Sequence, residues 1–437
     1  MADSIALMGR SLPVLTRADV VVAGGGPAGI GAALAAARGG ASVVLLERYG
    51  FLGGNFTAAS VGTVCGLYVQ DGADWEYVSG GLAREFAEAL KARGAGHGPI
   101  PFKESAVLLY VPWAAKRLAD HLVSSEPGID LLLHSFVADA VLEDDRLQAV
   151  VLATKRGLQA VTGTVFVDCT GDADVSTFAG VPTETGAPGL RQHASMQYFL
   201  QHVDAALALA NIGRLSDLIA EHGAGLSRDG GALIPTMRPG EFIGAMTRVR
   251  NQDGSPIDTT DPRQATWGEL EGRRLAEEAA DWVKAHVPGF ADAFLSDTPV
   301  QLGVRETRRV IGEYELTGSD VTGMARFDDA VAAGAWPQEF HVSERSTEYV
   351  SLPPGGYYQV PFRSLRVKGI SNLLVAGRCI SAHHEALASI RVMAPSMVLG
   401  QAAGAAAAIA VRDQAVPGEI EVAELQDQLA KEGAFLG

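Results

Sequence analysis

The first strong pattern in the chain is an apolar run, Asp19-Val-Val-Val-Ala23. It is followed by Gly24-Gly-Gly-Pro-Ala-Gly29 and then by an Ala-rich stretch from Ile30 to Gly39. A short apolar run that breaks into glycines predicts a buried strand, and the Ala-rich stretch predicts a helix. Arg38 and Gly39-Gly40 give that helix a basic last turn and a glycine stop. Ala41-Ser-Val-Val-Leu-Leu46 reads as a second apolar strand, closing on Glu47. Residues 19–47 thus predict one βαβ unit with two buried parallel strands.

Further on, the pattern predicts helices over 80–93 and 112–124. Short strands follow at Ile129–His134, Ala138–Glu143, Leu147–Thr154 and Gln159–Asp168, the later ones joined by polar turns as a β-meander. The stretch from 182 to 360 reads differently, with helices near 204–222 and 266–286. The strand Asn372–Ala376 and a helix over 395–412 then return to the first pattern, and an amphipathic helix lies within 419–433. The expected fold class is α/β: a Rossmann-like domain of parallel sheet plus β-meander, with an inserted α+β substrate domain. The expected boundaries are 15–181 for the first part, 182–360 for the inserted substrate or cap domain, and 361–437 for the return segment and C-terminal helices. Residues 394–411 carry no charge and approach the length of a membrane span, but Ala and Gly dominate them and Gln401 interrupts them. They read as a tightly packed internal helix, so no membrane span is expected.

Composition narrows the partners. Hydrophobic residues make up 47% of the 437 positions and charged residues 20%, a folding composition. Lys and Arg number 35 against 51 Asp and Glu, a net charge of −16. The largest basic cluster, Arg305/Arg308/Arg309, is too small to track a phosphate backbone, so nucleic acid and anionic membranes are excluded as partners. Cys65, Cys169 and Cys379 form no CxxC and no metal-ligand spacing. No metal is expected. Sparse cysteines and an N-terminus without a long apolar core point to a cytoplasmic protein. Glycine, 51 residues, stands above the usual ~7%. Many of these glycines fall within 24–29, 50–54, 377 and 400–404, expected to be mostly places where backbone approaches a large cofactor.

The glycine turn has specific mechanics. In Gly24-x-Gly26-x-x-Gly29, which encloses Pro27 and Ala28, the first glycine allows the tight turn. The second admits a pyrophosphate and the third lets helix and strand pack closely. The helix N-terminus then faces the phosphates. Glu47 at the end of the next strand suits ribose hydroxyls and would repel a 2′-phosphate. Arg48 opens a second Gly-rich run, Arg48-Tyr-Gly-Phe-Leu-Gly-Gly54, and a distant Gly377-Arg378 turn follows the return strand. The early fingerprint, these two runs and the lack of a second strand–GxGxxG–helix favour FAD over NAD.

Four segments carry a family resemblance: residues 20–55, 166–175, 303–321 and 372–410. On them the chain resembles the FAD-dependent oxidoreductases of the glutathione-reductase-like flavoprotein superfamily, near the fumarate reductase flavoproteins. The resemblance implies that Gly53, Gly54 and Asn55 run beside the flavin and that Val137 offers backbone to adenine. It implies that Thr170, Gly171 and Asp172 end a strand near the cofactor. Gly377 and Arg378 would sit near pyrophosphate and ribityl, and Arg391, Val392 and Met393 would bring backbone to the flavin ring. Covalent relatives carry a His just past the Gly-Gly pair, where this chain has Asn55-Phe-Thr, so noncovalent FAD is expected.

For the chemistry, His384 and His383 follow the Gly377-Arg378 turn. His384 matches, at seven residues past Gly377, a substrate-binding His of the fumarate reductase relatives. The alternative is a loop His paired with Glu385 or exposed. Arg305 either clamps a substrate carboxylate or joins Glu306, Arg308 and Arg309 in an internal ion network. Tyr357 either offers a phenol to the flavin or packs as an aromatic, and His193 is a further candidate. The expected activity is hydride transfer between a small organic substrate and flavin N5. The alternatives are C=C reduction or desaturation, flavin monooxygenation, and an electron-relay flavoprotein without turnover. The electron acceptor or donor is open, and a homo-oligomer is possible.

Overall fold

The computed structural model describes residues 11–187 and 190–437. The N-terminal residues 1–10, on which part of the localisation reading rests, lie outside them. The chain is mixed α/β around a parallel sheet. Strands Ile129–Leu132, Val43–Leu46, Val14–Ala23 and Gly157–Asp168 lie side by side in that order, all parallel. The central segments Val20–Ala23 and Val43–Leu46 are apolar because both faces are covered: Val20, Val22, Val43 and Leu45 pack with the helices, and Val21, Val44 and Leu46 with the meander residues Val137, Val150 and Leu152.

The strand Gly157–Asp168 is shared between two pairings. Its first half runs antiparallel to Arg146–Thr154, which pairs in turn with Phe136–Glu143, making the expected meander. Its second half, from Phe166 to Asp168, pairs parallel with the return strand Leu373–Val375. One strand thereby joins the first and last thirds of the sequence.

The apolar helix Met393–Asp413 is long and apolar enough to cross a membrane, but here it is buried inside the protein almost throughout. It packs along the first helix, Pro27–Arg38. At Gly400 a Cβ would stand 1.9 Å from the Ala28 carbonyl oxygen, and at Gly404 2.1 Å from that of Ala32. These two glycines therefore serve helix–helix contact, which corrects the expectation that they face a cofactor.

Of the span 182–360 that the sequence sets apart, residues 194–302 gather their own apolar cluster, including Met196, Tyr198, Phe242, Val283 and Phe290. It lies under a four-stranded antiparallel sheet, Ala232–Pro235, Phe242–Ala245, Tyr198–Gln201 and Phe294–Asp297, with the helix Pro262–His286 beside it. Residues Leu316 to Leu365 instead contribute to the main core, through Val331, Tyr358, Val360 and Phe362.

Candidate functional site

The glycine turn is built as its spacing predicts, for two different reasons. Gly24 has φ +99°, and a Cβ on it would lie 2.4 Å from the Cys169 carbonyl oxygen. A Cβ on Gly29 would lie 1.7 Å from the Gly24 carbonyl oxygen. Both are required by the chain's own packing. Gly26 is not: its φ is −75°, and a Cβ there would have the Gly54 Cα as nearest neighbour, at 3.8 Å. Gly26 is the N-cap of Pro27–Arg38, and no side chain caps that helix. Its first N–H groups are thus left for a ligand, with the positive end of the helix dipole behind them. Pro27 holds the first helical position and Ala28 is buried behind it. Gly53 (φ +114°) donates to the Gly25 carbonyl at 2.8 Å, and Gly54 passes so close that a Cβ would stand 3.0 Å from the Gly26 Cα.

Beside this turn a recess is lined by Gly24, Glu47, Arg48, Val137, Thr170 and Asp174. Glu47 is 5% exposed, and its carboxylate accepts from the Gly25 N–H at 2.7 Å and the Tyr49 N–H at 2.8 Å. Burial pushes its pKa up, against these two bonds. Glu47 therefore props the glycine turn from inside as well as facing the recess. Thr170 donates its hydroxyl to Asp168 at 2.7 Å. Gly171 leaves room for Arg378, whose guanidinium binds Asp172 at 2.8 Å and Thr307 at 2.7 Å. Burial opposes the Asp172 charge, yet Arg378 beside it holds its pKa below the usual value. At Gly377 (φ +84°) a Cβ would stand 2.9 Å from the Ala28 Cβ, so this turn also touches the first helix. An uncapped helix N-terminus, a glycine backbone open toward Gly54 and a polar recess at the second strand's end fit an FAD laid along this edge.

Arg378, bound to Asp172, also lines a separate cavity of about 700 Å³. Asn55, Arg378, Arg391, Val392 and Met393, all expected near the flavin, line it, and so does Arg305. Four residues absent from the sequence reading line it too: Arg228, Glu339, His341 and Tyr349. Glu339 and Tyr349 face each other across a short hairpin, and the Tyr349 hydroxyl donates to the Glu339 carboxylate at 3.1 Å. His341 Nε2 approaches the same carboxylate at 3.0 Å, and Arg391 at 3.7 Å. Burial opposes the Glu339 charge, but the His341 ring N–H and the Arg391 and Arg305 guanidinium groups around it hold its pKa well below the usual carboxylate value. Burial, with the Arg305 charge next, pushes the His341 ring well below its ordinary value, which leaves it neutral. The Tyr349 hydroxyl is pushed up by burial and then by Glu339, so it keeps its proton. Arg305 donates through one terminal nitrogen to the His193 carbonyl at 2.8 Å and the Ser195 hydroxyl at 2.9 Å.

Other expected residues fall elsewhere. His384 is buried with Nδ1 2.9 Å from the Glu306 carboxylate and is not in the cavity wall. His383 is exposed on a separate groove with Thr317, Gly318 and Glu385. A helix begins at His384, so the two rings leave the backbone in different directions. Tyr357 packs on Phe435 and under the Arg326 guanidinium, away from the cavity wall. The arginine cluster divides. Glu306 takes Arg309 at 2.6 Å and the Gln192 N–H at 3.0 Å, forming an internal network, while Arg308 pairs separately with Asp174. Arg305 alone reaches the cavity. Cys65 lines it as well, but burial pushes its thiol up to about 12, which keeps it protonated and unreactive.

A signal for Glu339 and His341 existed in the sequence: two polar residues spaced by two in a strand share a face. Arg228 lies in a loop and carried none.

The family model for FAD dependent oxidoreductases matches residues 19–429 of the chain. No curated protein matches it. Solved structures of similar shape include a geranylgeranyl bacteriochlorophyll reductase-like protein from Thermoplasma acidophilum, at 13% identity, TM-score 0.48, covering 95% of this chain and 84% of that one. They include p-nitrophenol 4-monooxygenase from Pseudomonas putida, at 12% identity, TM-score 0.49, with coverage of 95% and 84%. A flavin-dependent brominase is similar at 13% identity, TM-score 0.47, with coverage of 95% and 83%.

Proposed function

The chain belongs to the FAD dependent oxidoreductase family, and from that premise we propose an enzyme that binds FAD noncovalently and oxidises or reduces a small organic molecule in the 700 Å³ cavity. The observation that carries this is one continuous wall. Asn55, Arg378, Arg391, Val392 and Met393, the residues expected beside the flavin and ribityl, line the same cavity as Arg305, Glu339, His341 and Tyr349. FAD held there supplies hydride acceptance or donation at N5.

The residues divide the remaining work. Gly24, Gly26, Gly29 and the helix N-terminus hold the pyrophosphate, and Glu47 and Val137 border the adenosine. Within the span 182–360, residues 194–302, which have their own apolar cluster and bring Leu233 and Ile234 to the wall, serve as the substrate domain. Arg305 and Arg391 orient the substrate. Tyr349 holds a proton at its phenol oxygen beside the cavity, and the Glu339 carboxylate fixes that hydroxyl at 3.1 Å. Val107, Leu233 and Ile234 in the wall keep water from the reacting atoms. A dehydrogenase or reductase near the fumarate reductase flavoproteins is the reading the four matched segments favour. Asn55 and Phe56, where covalent relatives carry a His, favour a cofactor released by acid.

The test is direct. The purified protein should be yellow, release its flavin on acid precipitation, and bleach under anaerobic conditions with one or more members of a metabolite panel. A protein that takes up no FAD, or whose FAD no substrate or reductant bleaches, overturns the proposal.

A further inference from the structure

The cavity wall holds more positive than negative charge. Arg228, Arg305 and Arg391 face one carboxylate, Glu339; the fourth arginine in the wall, Arg378, is already paired with Asp172 at 2.8 Å. The three are not spent on the protein's own groups. Arg228 is 8% exposed and binds the Thr347 hydroxyl at 3.0 Å, but its Nε has no partner among the described residues. Arg391 reaches Gln192 at 3.2 Å and the Glu339 carbonyl at 3.3 Å, and its Nε likewise has none. Arg305 engages the protein through one terminal nitrogen of its fork. Each guanidinium carries five donors, so many remain.

Buried guanidinium charge without a counter-ion is costly. Burial, with the neighbouring arginines, pushes Arg305 well below its ordinary value, and burial pushes Arg391 and Arg228 down as well. An incoming anion removes that cost. Much of the remaining wall is apolar, with Val107, Leu233, Ile234 and Trp336 along it.

Resting on the oxidoreductase reading above, we propose that the substrate is an organic acid with an apolar body. Its carboxylate sits among Arg228, Arg305 and Arg391, and its body lies along Val107, Leu233, Ile234 and Trp336. Planar guanidinium forks match a carboxylate by paired hydrogen bonds, and an uncharged amide of the same shape cannot accept them equally. A short dicarboxylate leaves the apolar wall uncovered.

The experiment is calorimetric titration of the FAD-loaded protein with 4-phenylbutyrate, 4-phenylbutanamide and succinate. The acid should bind roughly 10- to 100-fold more tightly than its amide, the range expected of hydrogen bonds to a charged group. Succinate should bind more weakly than 4-phenylbutyrate. Arg305→Met and Arg228→Met should each remove most of the preference for the acid, and Arg305→Lys should keep part of it. Equal binding of acid and amide, no binding of any probe, or an unchanged preference in both Met variants overturns the proposal. The acid–amide comparison uses the unaltered protein, so it stands even where a variant fails to fold. Flavin bleaching is scored separately. Acid selectivity without any bleaching refutes the oxidoreductase reading alone, and bleaching without acid selectivity refutes this proposal alone.

Discussion

The glycine turn and the cavity wall are neighbours built by opposite means. The turn is backbone. Gly24, Gly26 and Gly29 lie within six consecutive residues, and their roles follow from what a Cβ would strike at Gly24 and Gly29 and would not strike at Gly26. The wall is side chain. Arg228, Arg305, Glu339, Tyr349 and Arg391 come from segments spread over more than a third of the chain, and they act through charge and hydrogen bonds. The first kind of site fails by steric conflict, which a fold transmits everywhere. The second fails by losing one interaction, which the fold survives. The difference predicts graded outcomes, and it places Gly26, which has space the chain does not use, on the ligand's side of the line.

The largest effect tests that line. Gly29→Ala sets a Cβ 1.7 Å from the Gly24 carbonyl oxygen and should cost about 3 kcal/mol or more of stability. Its readout is a lowered denaturation midpoint of FAD-free protein. Gly26→Ala meets nothing nearer than 3.8 Å and should leave that midpoint within about 0.5 kcal/mol. Its FAD affinity should nevertheless fall roughly tenfold or more, measured by flavin fluorescence quenching. A Gly26→Ala protein that binds FAD normally would remove the pyrophosphate from this glycine.

A smaller, more local effect is expected in the wall. Tyr349→Phe deletes the hydroxyl that donates to Glu339 at 3.1 Å and keeps the ring. Turnover with whichever substrate bleaches the flavin should fall roughly 100-fold, with FAD content unchanged. Tyr357→Phe, whose ring rests on Phe435 and beneath Arg326, should leave turnover unchanged. Equal loss in both variants, or loss in neither, would break the assignment of the proton to Tyr349.

The same contrast explains what could be read from the chain. The βαβ unit, the meander and the return strand were legible because each is a local pattern of apolar residues bounded by glycines or polar turns. Gly24 and Gly29 were legible because the tight turn and the close helix packing need them at fixed offsets, and Gly26 because a pyrophosphate needs open backbone between them. The wall was not, because its members share no spacing: Arg228 and Arg391 are 163 positions apart in number and meet only through the fold. Spacing also misled. His384 sits at the expected distance from Gly377, yet the helix that starts there turns its ring toward buried Glu306. Gly400 and Gly404 looked like cofactor glycines, but the nearer demand on them is the first helix.

The smallest effect lies one layer behind the wall, at His193, whose carbonyl oxygen accepts from Arg305 at 2.8 Å. Burial, followed by the Arg248 and Arg250 charges, pushes this ring down to about 4. The folded protein therefore keeps His193 neutral at a pH where the unfolded chain, with an ordinary value near 6.5, has already taken up a proton. Between those two values the unfolded state binds more protons, so stability rises with pH there. The contribution is complete above about 6.5 and is lost as pH falls toward 4. Denaturation midpoints at pH 7.5 and pH 5 should differ, with the lower pH less stable. Since many carboxylates also titrate below this window, His193→Gln is the control. It should narrow the gap between the two midpoints while leaving the one at pH 7.5 nearly in place. A gap of the same size in the variant would mean that the arginine layer does not set the charge of His193, and the electrostatic side of the comparison would then stop at the wall itself.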